Sequence, residues 1–463
     1  MRDFREKIVH HGGFDGVTGS CHEWFYADNA SIMVDCGLFQ GDEAHEQDLN
    51  FHFDVSRIRA VVLTHGHIDH VGRLPWLIAA GFRGPIICTQ PTAKLLPIIL
   101  EDALQLQLPD QDVLVKRALE RIIKQILGVA YNKPIQSGYS VSNDFQPPQI
   151  VLQNAGHILG SAYVEIAYRG KTTVFSGDLG PSDALMNPKP VSPLRADRLI
   201  LESTYGDRQH QGRADRLAAF KQIILRSLED GGPILIPAFS LGRTQELLAS
   251  IEAIKIEAGL TQDYKEPWEG QRLPVILDSP LASRLTFAYR QLRPWWKDQI
   301  QHQNPFSFDS LATVQSHGEH LSIINHLKST GRAAIVLSAS GMCQGGRILN
   351  YLEAFLPRDN TDVVFAGYQA KGTLGRQLVD NVASSDRGYA DTKRVDIRGN
   401  MVDVNARIYR LSGFSAHADQ SELLEFVQGI PVAPSEIRLV HGSADARKQL
   451  GLKLADMNTV VLQ

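Results

Sequence analysis

Four potential metal ligands fall within six residues in Leu63-Thr64-His65-Gly66-His67-Ile68-Asp69-His70, directly after the apolar run Ile58 to Leu63. Alternate side chains of an extended segment share a side, so His65 and His67 face one way while Asp69 and His70 turn toward another. Such a cluster can begin the shells of two cations. Imidazole and carboxylate without thiolate suit zinc, and hydrolytic chemistry needs an open position for water. Two cations roughly 3.5–4 Å apart would let one hydroxide attack a phosphorus or carbonyl centre at neutral pH. Six residues cannot complete two shells. His157, in Asn154-Ala155-Gly156-His157, and Asp178, in Phe175-Ser176-Gly177-Asp178, are the further ligands expected, each beside a glycine near a predicted strand. Taken alone, His157 would read as a structural histidine; its company reverses that.

The rest of the chain is organised around similar strand ends. Short β-rich runs surround Val9 and span Ser31 to Val34, Ile58 to Leu63, Ile150 to Val151, Thr172 to Phe175 and Leu199 to Leu201, and Asp35, His65, Asp178 and Glu202 follow such runs. One helical stretch is predicted over roughly residues 92–128, its stripe of Leu95, Leu96, Ile98, Ile99, Val115, Leu119, Ile122, Ile123 and Ile126 serving as core. From residue 206 the pattern changes to four strand–loop–helix units: Ile234 to Pro237 with Phe239 to Thr244, Val275 to Leu277 with Asp278-Ser279-Pro280, Ala334 to Leu337 with Ser338 to Met342, and Val363 to Phe365 with Gly367 to Arg376. Strands alternating with helices imply a parallel sheet, whose ligands gather beyond the carboxyl ends of its strands. Gly, Ser and Thr in those loops leave helix-start N–H groups free for an anion, with Arg243, Arg347, Lys371 and Arg376 adding charge, although tight turns alone would also explain the glycines. The α/β unit is expected to end near residue 395, after which strand signals return at Ile408 to Leu411 and Ile437 to Val440. The organisation is therefore 1–205, an insert at 206–395, and a returning segment at 396–463.

Composition sets the outer bounds. At 463 residues the chain is long enough for two or three domains, and 43% hydrophobic with 21% charged residues excludes a disordered or fibrous protein. The net charge of −4 provides no global basic field, so a polyanion would be held by a local patch. Cys21, Cys36, Cys88 and Cys343 form no Cys-x-x-Cys pair and fit a reducing cytosol. The charged opening Met-Arg-Asp-Phe-Arg-Glu-Lys lacks the apolar core of a signal peptide, and nothing approaches about 20 consecutive apolar residues, so a cytoplasmic protein without a membrane partner is expected.

The order Asp35, His65-x-His67-x-Asp69-His70, His157, Asp178 resembles the metallo-β-lactamase superfamily. With Glu202, His417 and His441 it is similar to the β-CASP nucleases, the group containing the mRNA 3′-end-processing endonuclease, ribonuclease J and related prokaryotic RNA-processing enzymes. The phrases Val17-Thr18-Gly19-Ser20, Asp35-Cys36-Gly37-Leu38-Phe39-Gln40-Gly41, Gly413-Phe414-Ser415-Ala416-His417-Ala418-Asp419 and Leu439-Val440-His441-Gly442 carry the likeness over essentially the whole chain. Many relatives have an acidic residue where Gly16 stands. The fold implied is α/β: a metallo-β-lactamase αββα sandwich with an inserted parallel-sheet β-CASP domain.

The resemblance also implies roles. His65, His67 and His157 would hold one zinc, Asp69, His70 and His441 a second, and Asp178 would bridge two Zn2+, for which Mn2+ is an alternative. Asp35 would brace a ligand from behind. Glu202 would orient His417 so that it protonates the departing 3′-oxygen, and Asp69, Asp178, Glu202 and His417 would form the catalytic set. A histidine at position 441 marks the RNA-directed branch, and His67 stands where oxygen-reducing flavo-diiron relatives carry Glu. The activity implied is zinc-dependent hydrolysis of single-stranded RNA, endonucleolytic or 5′–3′ exonucleolytic. Alternatives are a DNA-directed nuclease, hydrolysis of a small ester or lactam, and a silent RNA-binding subunit. Ser240, Arg243, Thr244, Ser338, Ser340, Lys371, Thr373 and Arg376 would contact RNA phosphates. Neither an N-terminal RNA-binding extension nor a long C-terminal domain is evident, so a homodimer or RNA-processing partner proteins are expected to add grip. His10, His11, His22, His45, His52, His210, His302, His317, His320 and His326 match no ligand position, and Tyr289, Trp295 and Trp296 are read as packing residues of the insert rather than base-stacking ones.

Overall fold

The computed structural model describes residues 6–45, 49–136, 146–210, 212–213, 215–260, 273–303, 305–306, 311–383, 394–411, 413–455 and 460–462, without the side chains of positions 42, 45 and 381–383. The ring of His45 and opening residues 1–5 thus lie outside the described residues. Contacts between Cα atoms divide the chain into unit 1, residues 1–209 with 416–463, and unit 2, residues 210–415.

Unit 1 opens with a sheet ordered along the chain: β1 (Lys7–Gly12), β2 (Cys21–Ala27), β3 (Ala30–Val34), β4 (Ile58–Val62), β5 (Ile86–Thr89) and β6 (Ile126–Val129). The first three pair antiparallel and β3 to β6 parallel. β3 is buried along its whole length, as a strand covered on both faces must be. The single helix expected over 92–128 is two helices and a strand. Gln90–Gln107 and Asp112–Gln125 are separated around Pro109, which has no N–H to continue a helix, and the apolar run from Ile126 pairs with β5 instead. The second sheet begins with β7 (Ile135–Gln136), β8 (Gln149–Asn154), β9 (Ala162–Tyr168) and β10 (Lys171–Phe175), paired antiparallel in that order, then β11 (Arg198–Glu202), parallel to β10.

Unit 2 contains β12 (Pro233–Pro237), β13 (Val275–Asp278), β14 (Leu311–Thr313), β15 (Ala334–Ser338), β16 (Asp362–Phe365), the hairpin β17 (Arg394–Ile397) and β18 (Asn400–Asp403), and β19 (Arg407–Arg410). Among the described residues its main sheet is wholly parallel, in the order β14-β13-β15-β12-β16-β19. Helices alternate with these strands, and the core runs through Leu235, Val336, Ile348, Leu352, Phe355, Val363 and Phe365. The second boundary lies at 415, not near 395. A strand signal at Ile408 does not state which sheet accepts it, and β19 pairs with β16 in register Val363↔Ile408, locked by Arg407 Nε 2.6 Å from Asp362 Oδ1.

The chain then completes unit 1 with β20 (Glu436–Val440), parallel to β11, and β21 (Val460–Leu462) beside it. Trp24, Ile32 and Val62 of the first sheet meet Ile150, Val164, Phe175, Ile200 and Val440 of the second in one buried layer. The outer face of the second sheet, with Val174, Leu199, Leu201, Ile437 and Leu439, is covered by Leu423, Phe426 and Val427 of helix Gln420–Gln428 and by Leu450 and Leu454 of helix Ala444–Ala455. Helix Gln90–Gln107 packs on β5 and β6. This is the αββα order of layers. Residues 35, 64, 176 and 441 all begin loops near the carboxyl ends of parallel strands, where such sheets bind ligands.

Candidate metal centre

Seven side chains of unit 1 form two adjoining groups. His65 Nε2 is 2.9 Å and His157 Nε2 is 3.1 Å from His67 Nδ1, and Asp178 Oδ2 is 3.5 Å from both Nε2 atoms. In the second group His441 Nε2 is 3.3 Å from His70 Nε2 and from Asp69 Oδ2. Asp178 Oδ1 faces this group, 3.4 Å from His70 Nε2 and 3.7 Å from His441 Nδ1. One carboxylate thus turns one oxygen to each group. Within each group the donor atoms lie within 4.8 Å of one another, and a third overlapping set joins Asp178, Glu202 and His441, which the sequence did not suggest.

Hydrogen bonds behind the rings settle which nitrogens point inward. His157 Nδ1 lies 2.8 Å from the Ala416 carbonyl, which can only accept, so Nδ1 carries the proton and Nε2 presents a lone pair. His70 Nδ1 is held in the same way by Asp35 Oδ2 at 2.7 Å. Asp35 also accepts from the Thr64 N–H and Thr64 Oγ1, both at 2.8 Å. Having given its proton to Asp35, the Thr64 hydroxyl accepts from His65 Nδ1 at 3.1 Å, freeing Nε2. Asp35 touches no donor group directly except through His70. It is a brace.

Burial pushes the His65 and His157 rings strongly toward the neutral form, the form that donates a lone pair. Burial would do the same to His70 and His441, but Asp178 and Asp35 outweigh it at His70, and Asp178 and Asp69 raise His441 to about 9. Conversely, Asp69 would be raised by burial, yet His70 and His441 hold it down at about 2. Carboxylates gathered around the second group therefore attract positive charge. Asp178 Oδ1 is buried without a hydrogen-bond partner among the described residues, a costly state for a carboxylate oxygen unless a cation meets it. Imidazole lone pairs, carboxylates and that orphaned oxygen are a donor set that suits divalent cations.

The remaining pair stands beside this centre. His417 Nδ1 is 3.2 Å from Glu202 Oε2, and Glu202 Oε1 accepts from the Leu179 N–H at 2.5 Å. Glu202 is fully buried, whereas the His417 side chain retains 20% exposure. Burial opposes a charged His417 ring, but Glu202 overrides it and raises its pKa above the ordinary histidine value. His67, Asp69 and His417 are the partly exposed members, so solvent reaches the centre on their side.

Sequence reasoning missed several supporting residues. Thr64 stands inside the quoted motif, but its double role depends on Asp35. Thr204 gives its hydroxyl proton to Glu202 Oε2 at 2.6 Å and lies 3.1 Å from His441 Nδ1. Ser176 Oγ accepts from the Glu202 N–H at 2.9 Å. The acid missing at position 16 arrives from Glu43, which accepts from the Val17 and Thr18 N–H groups at 3.0 and 3.1 Å, and a Cβ at Gly16 would fall 2.3 Å from its Oε1. In unit 2, Thr244, Ser338 and Thr373 are buried and donate to the carbonyls of Phe239, Asp278 and Ala370, so these hydroxyls build their loops. Ser340 donates to Gly345 O, Ser240 faces Ser279, and Arg347 and Arg376 are paired with Asp278 and Asp380, whereas Lys371 is exposed. Tyr289 and Trp296 are buried, the latter edge-on to Phe306, as packing residues should be.

Three family profiles cover the chain in sequence: "Metallo-beta-lactamase superfamily" over residues 19–207, "Beta-Casp domain" over 244–378, and "Zn-dependent metallo-hydrolase RNA specificity domain" over 401–461. Ribonuclease TTHA0252 of Thermus thermophilus is 35% identical over 454 residues, 97% of this chain and 96% of that protein. The chain belongs to the β-CASP family of the metallo-β-lactamase superfamily. Two further β-CASP relatives are Transcription termination factor FttA of Cenarchaeum symbiosum, 32% identical over 96% of this chain and 67% of its own length, and that of Methanocaldococcus jannaschii, 28% identical over 95% and 67%. A crystal structure of a protein of unknown function from Enterococcus faecalis shares the fold, with TM-score 0.54 at 12% identity over 98% of this chain and 97% of that one. As a β-CASP protein the chain is a metal-dependent hydrolase. Among the described residues no helix is long and apolar enough to cross a membrane.

Proposed function

We propose that this β-CASP protein is a zinc-dependent ribonuclease that hydrolyses phosphodiester bonds of single-stranded RNA, by internal cuts, by 5′–3′ removal of nucleotides, or by both. The observation that carries the reading is Asp178, with one oxygen toward His65 and His157 and the other toward His70 and His441, next to the Glu202–His417 pair. His65, His67 and His157 would hold one cation and Asp69, His70 and His441 a second, with Asp178 between; zinc is the proposed metal, with manganese as an alternative. Bound there, such cations lower the pKa of water and neutralise phosphate charge. The residues of the chain do the rest. Glu202 keeps the His417 ring oriented and favours its protonated form, and the nitrogen remote from Glu202, Nε2, gives the proton to the departing 3′-oxygen as the P–O bond breaks. Asp35, through His70, keeps one donor nitrogen aimed inward.

Two features support RNA over DNA or a small ester: the RNA-specificity profile over 401–461 and the ribonuclease named among the relatives. All the donor residues are present, which speaks against a silent subunit. Lys371 and Arg376 of unit 2 are proposed to meet phosphates, together with Ser240, Arg243 and Ser340; Thr244, Ser338 and Thr373 would shape those loops. A cytoplasmic site of action, and self-association or an RNA-processing partner, belong to the same proposal.

Purified protein incubated with 5′- and 3′-end-labelled RNA, with labelled single-stranded DNA and with a chromogenic ester, each with and without chelator, tests it. Chelator-sensitive RNA cleavage is expected, and the labelled ends distinguish internal cuts from stepwise release. Intact RNA at full cation loading would overturn the reading, as would preferential turnover of DNA or ester.

A further inference from the structure

The Thr204 hydroxyl has one proton and lies between two groups that the chemistry needs separately. Its closest partner is Glu202 Oε2, at 2.6 Å, and a carboxylate oxygen in this position accepts. With that proton committed, the contact at 3.1 Å to His441 Nδ1 is made by the ring N–H donating to Oγ1. His441 Nε2 is then left with its lone pair facing His70 Nε2 and Asp69 Oδ2, both 3.3 Å away. At its other end Glu202 faces His417 Nδ1 at 3.2 Å. The result is an unbroken path from the second donor group to the candidate proton donor: Asp69, His441, Thr204, Glu202, His417.

The backbone makes this path specific. His441 has φ +52°, in the left-handed region, at the turn that follows β20, while Thr204 lies two residues beyond the end of the neighbouring strand β11. The same device occurs across the centre, where Thr64 gives its proton to Asp35 and accepts from His65. There the carboxylate serves only to brace. At Thr204 the carboxylate also orients His417.

We propose that Thr204 is a positioning residue whose single hydroxyl ties cation binding at Asp69, His70 and His441 to the orientation of the Glu202–His417 pair. Linkage makes the effect reciprocal: whatever Glu202 contributes to His441 through the hydroxyl, a cation at His441 returns to Glu202. Its consequence for cleavage rests on the ribonuclease reading above, but the binding arm of its test does not.

Zinc affinity of the weaker position is measured by chelator competition on the full chain, for wild type, T204V, T204A, T204S, E202Q and the double variants T204V/E202Q and T204A/E202Q, with kcat and KM on RNA in parallel. Loss of the hydroxyl in T204V or T204A is expected to weaken that cation by about 10- to 100-fold, the usual cost of removing an outer partner of a metal ligand, and to lower kcat with KM unchanged. T204S restores both. E202Q weakens the same cation in wild type and has no further effect once the hydroxyl is gone. Wild-type affinity in T204V or T204A, or an E202Q effect of equal size with and without the hydroxyl, overturns the proposal. If one of these two fails to fold, the other carries the cycle. Wild-type protein that binds zinc but leaves RNA intact sinks the ribonuclease reading alone.

Discussion

His417 Nδ1 stands 3.2 Å from Glu202 Oε2, and the two side chains are 215 residues apart in sequence. A buried carboxylate and a partly exposed imidazole make an acid that can be recharged from solvent. His417→Ala is expected to retain bound zinc while kcat on RNA falls by about 10²- to 10⁴-fold, the range for loss of a general acid. Glu202 raises the His417 pKa, so Glu202→Gln lowers it, and the alkaline limb of the kcat profile, where the acid form is lost, moves to lower pH. Zinc content by elemental analysis and pH–rate profiles check both.

Asp69 contributes the carboxylate of the second donor group. Asp69→Asn keeps the size and removes the charge that His70 and His441 face. Cleavage is expected to fall by at least about 100-fold, since loss of an outer partner alone reaches that figure. The variant should also release one cation at chelator concentrations that leave the other bound.

The loop after β3 meets the ligand loop without space to spare. A Cβ at Gly37 would fall 1.6 Å from the Asp69 carbonyl oxygen, which accepts from the Ser20 N–H at 2.8 Å. Gly37→Ala is therefore expected to cost at least about 1–3 kcal/mol, as overpacking does, and to weaken zinc binding at Asp69 and His70. Urea unfolding and chelator competition on the same sample separate the two effects.

Away from the donors, His10 stacks on Phe14 and faces His22 Nδ1 at 2.9 Å. Burial, aided by Arg438 and His11, lowers its pKa to about 4. The folded protein thus keeps His10 neutral, while the unfolded chain protonates it near 6.5, so the unfolded state binds more protons between those values. Stability is present above pH 6.5 and lost as pH falls toward 4, by up to about 3 kcal/mol from this group. Urea midpoints of chelated protein at pH 7 and pH 4.5 are expected to differ less in His10→Gln than in wild type.

What could be read from the sequence was mostly local. His65, His67, Asp69 and His70 are adjacent, so strand alternation places them without knowledge of the fold, and four strands of unit 2 are visible as apolar runs. Longer-range pairing was not visible. The run at Ile126 could continue a helix or enter a sheet, and only β5 decides. The strand at Ile408 was expected, but its partner β16 was not. Thr204 carries no signal of its own because its role exists only once His441, 237 residues later, folds back beside it. Thr244, Ser338 and Thr373 looked ready for an anion; whether a hydroxyl faces outward or bonds to its own loop depends on rotamers that no pattern records.

The second donor group draws two members from one turn at Asp69 and His70 and the third from position 441, after the whole of unit 2. A ribosome that has released only the first four hundred residues therefore holds a chain with one imidazole too few to enclose that cation. Synthesis itself acts as a safety catch, and the nascent polypeptide remains harmless to the message being translated until it is nearly finished.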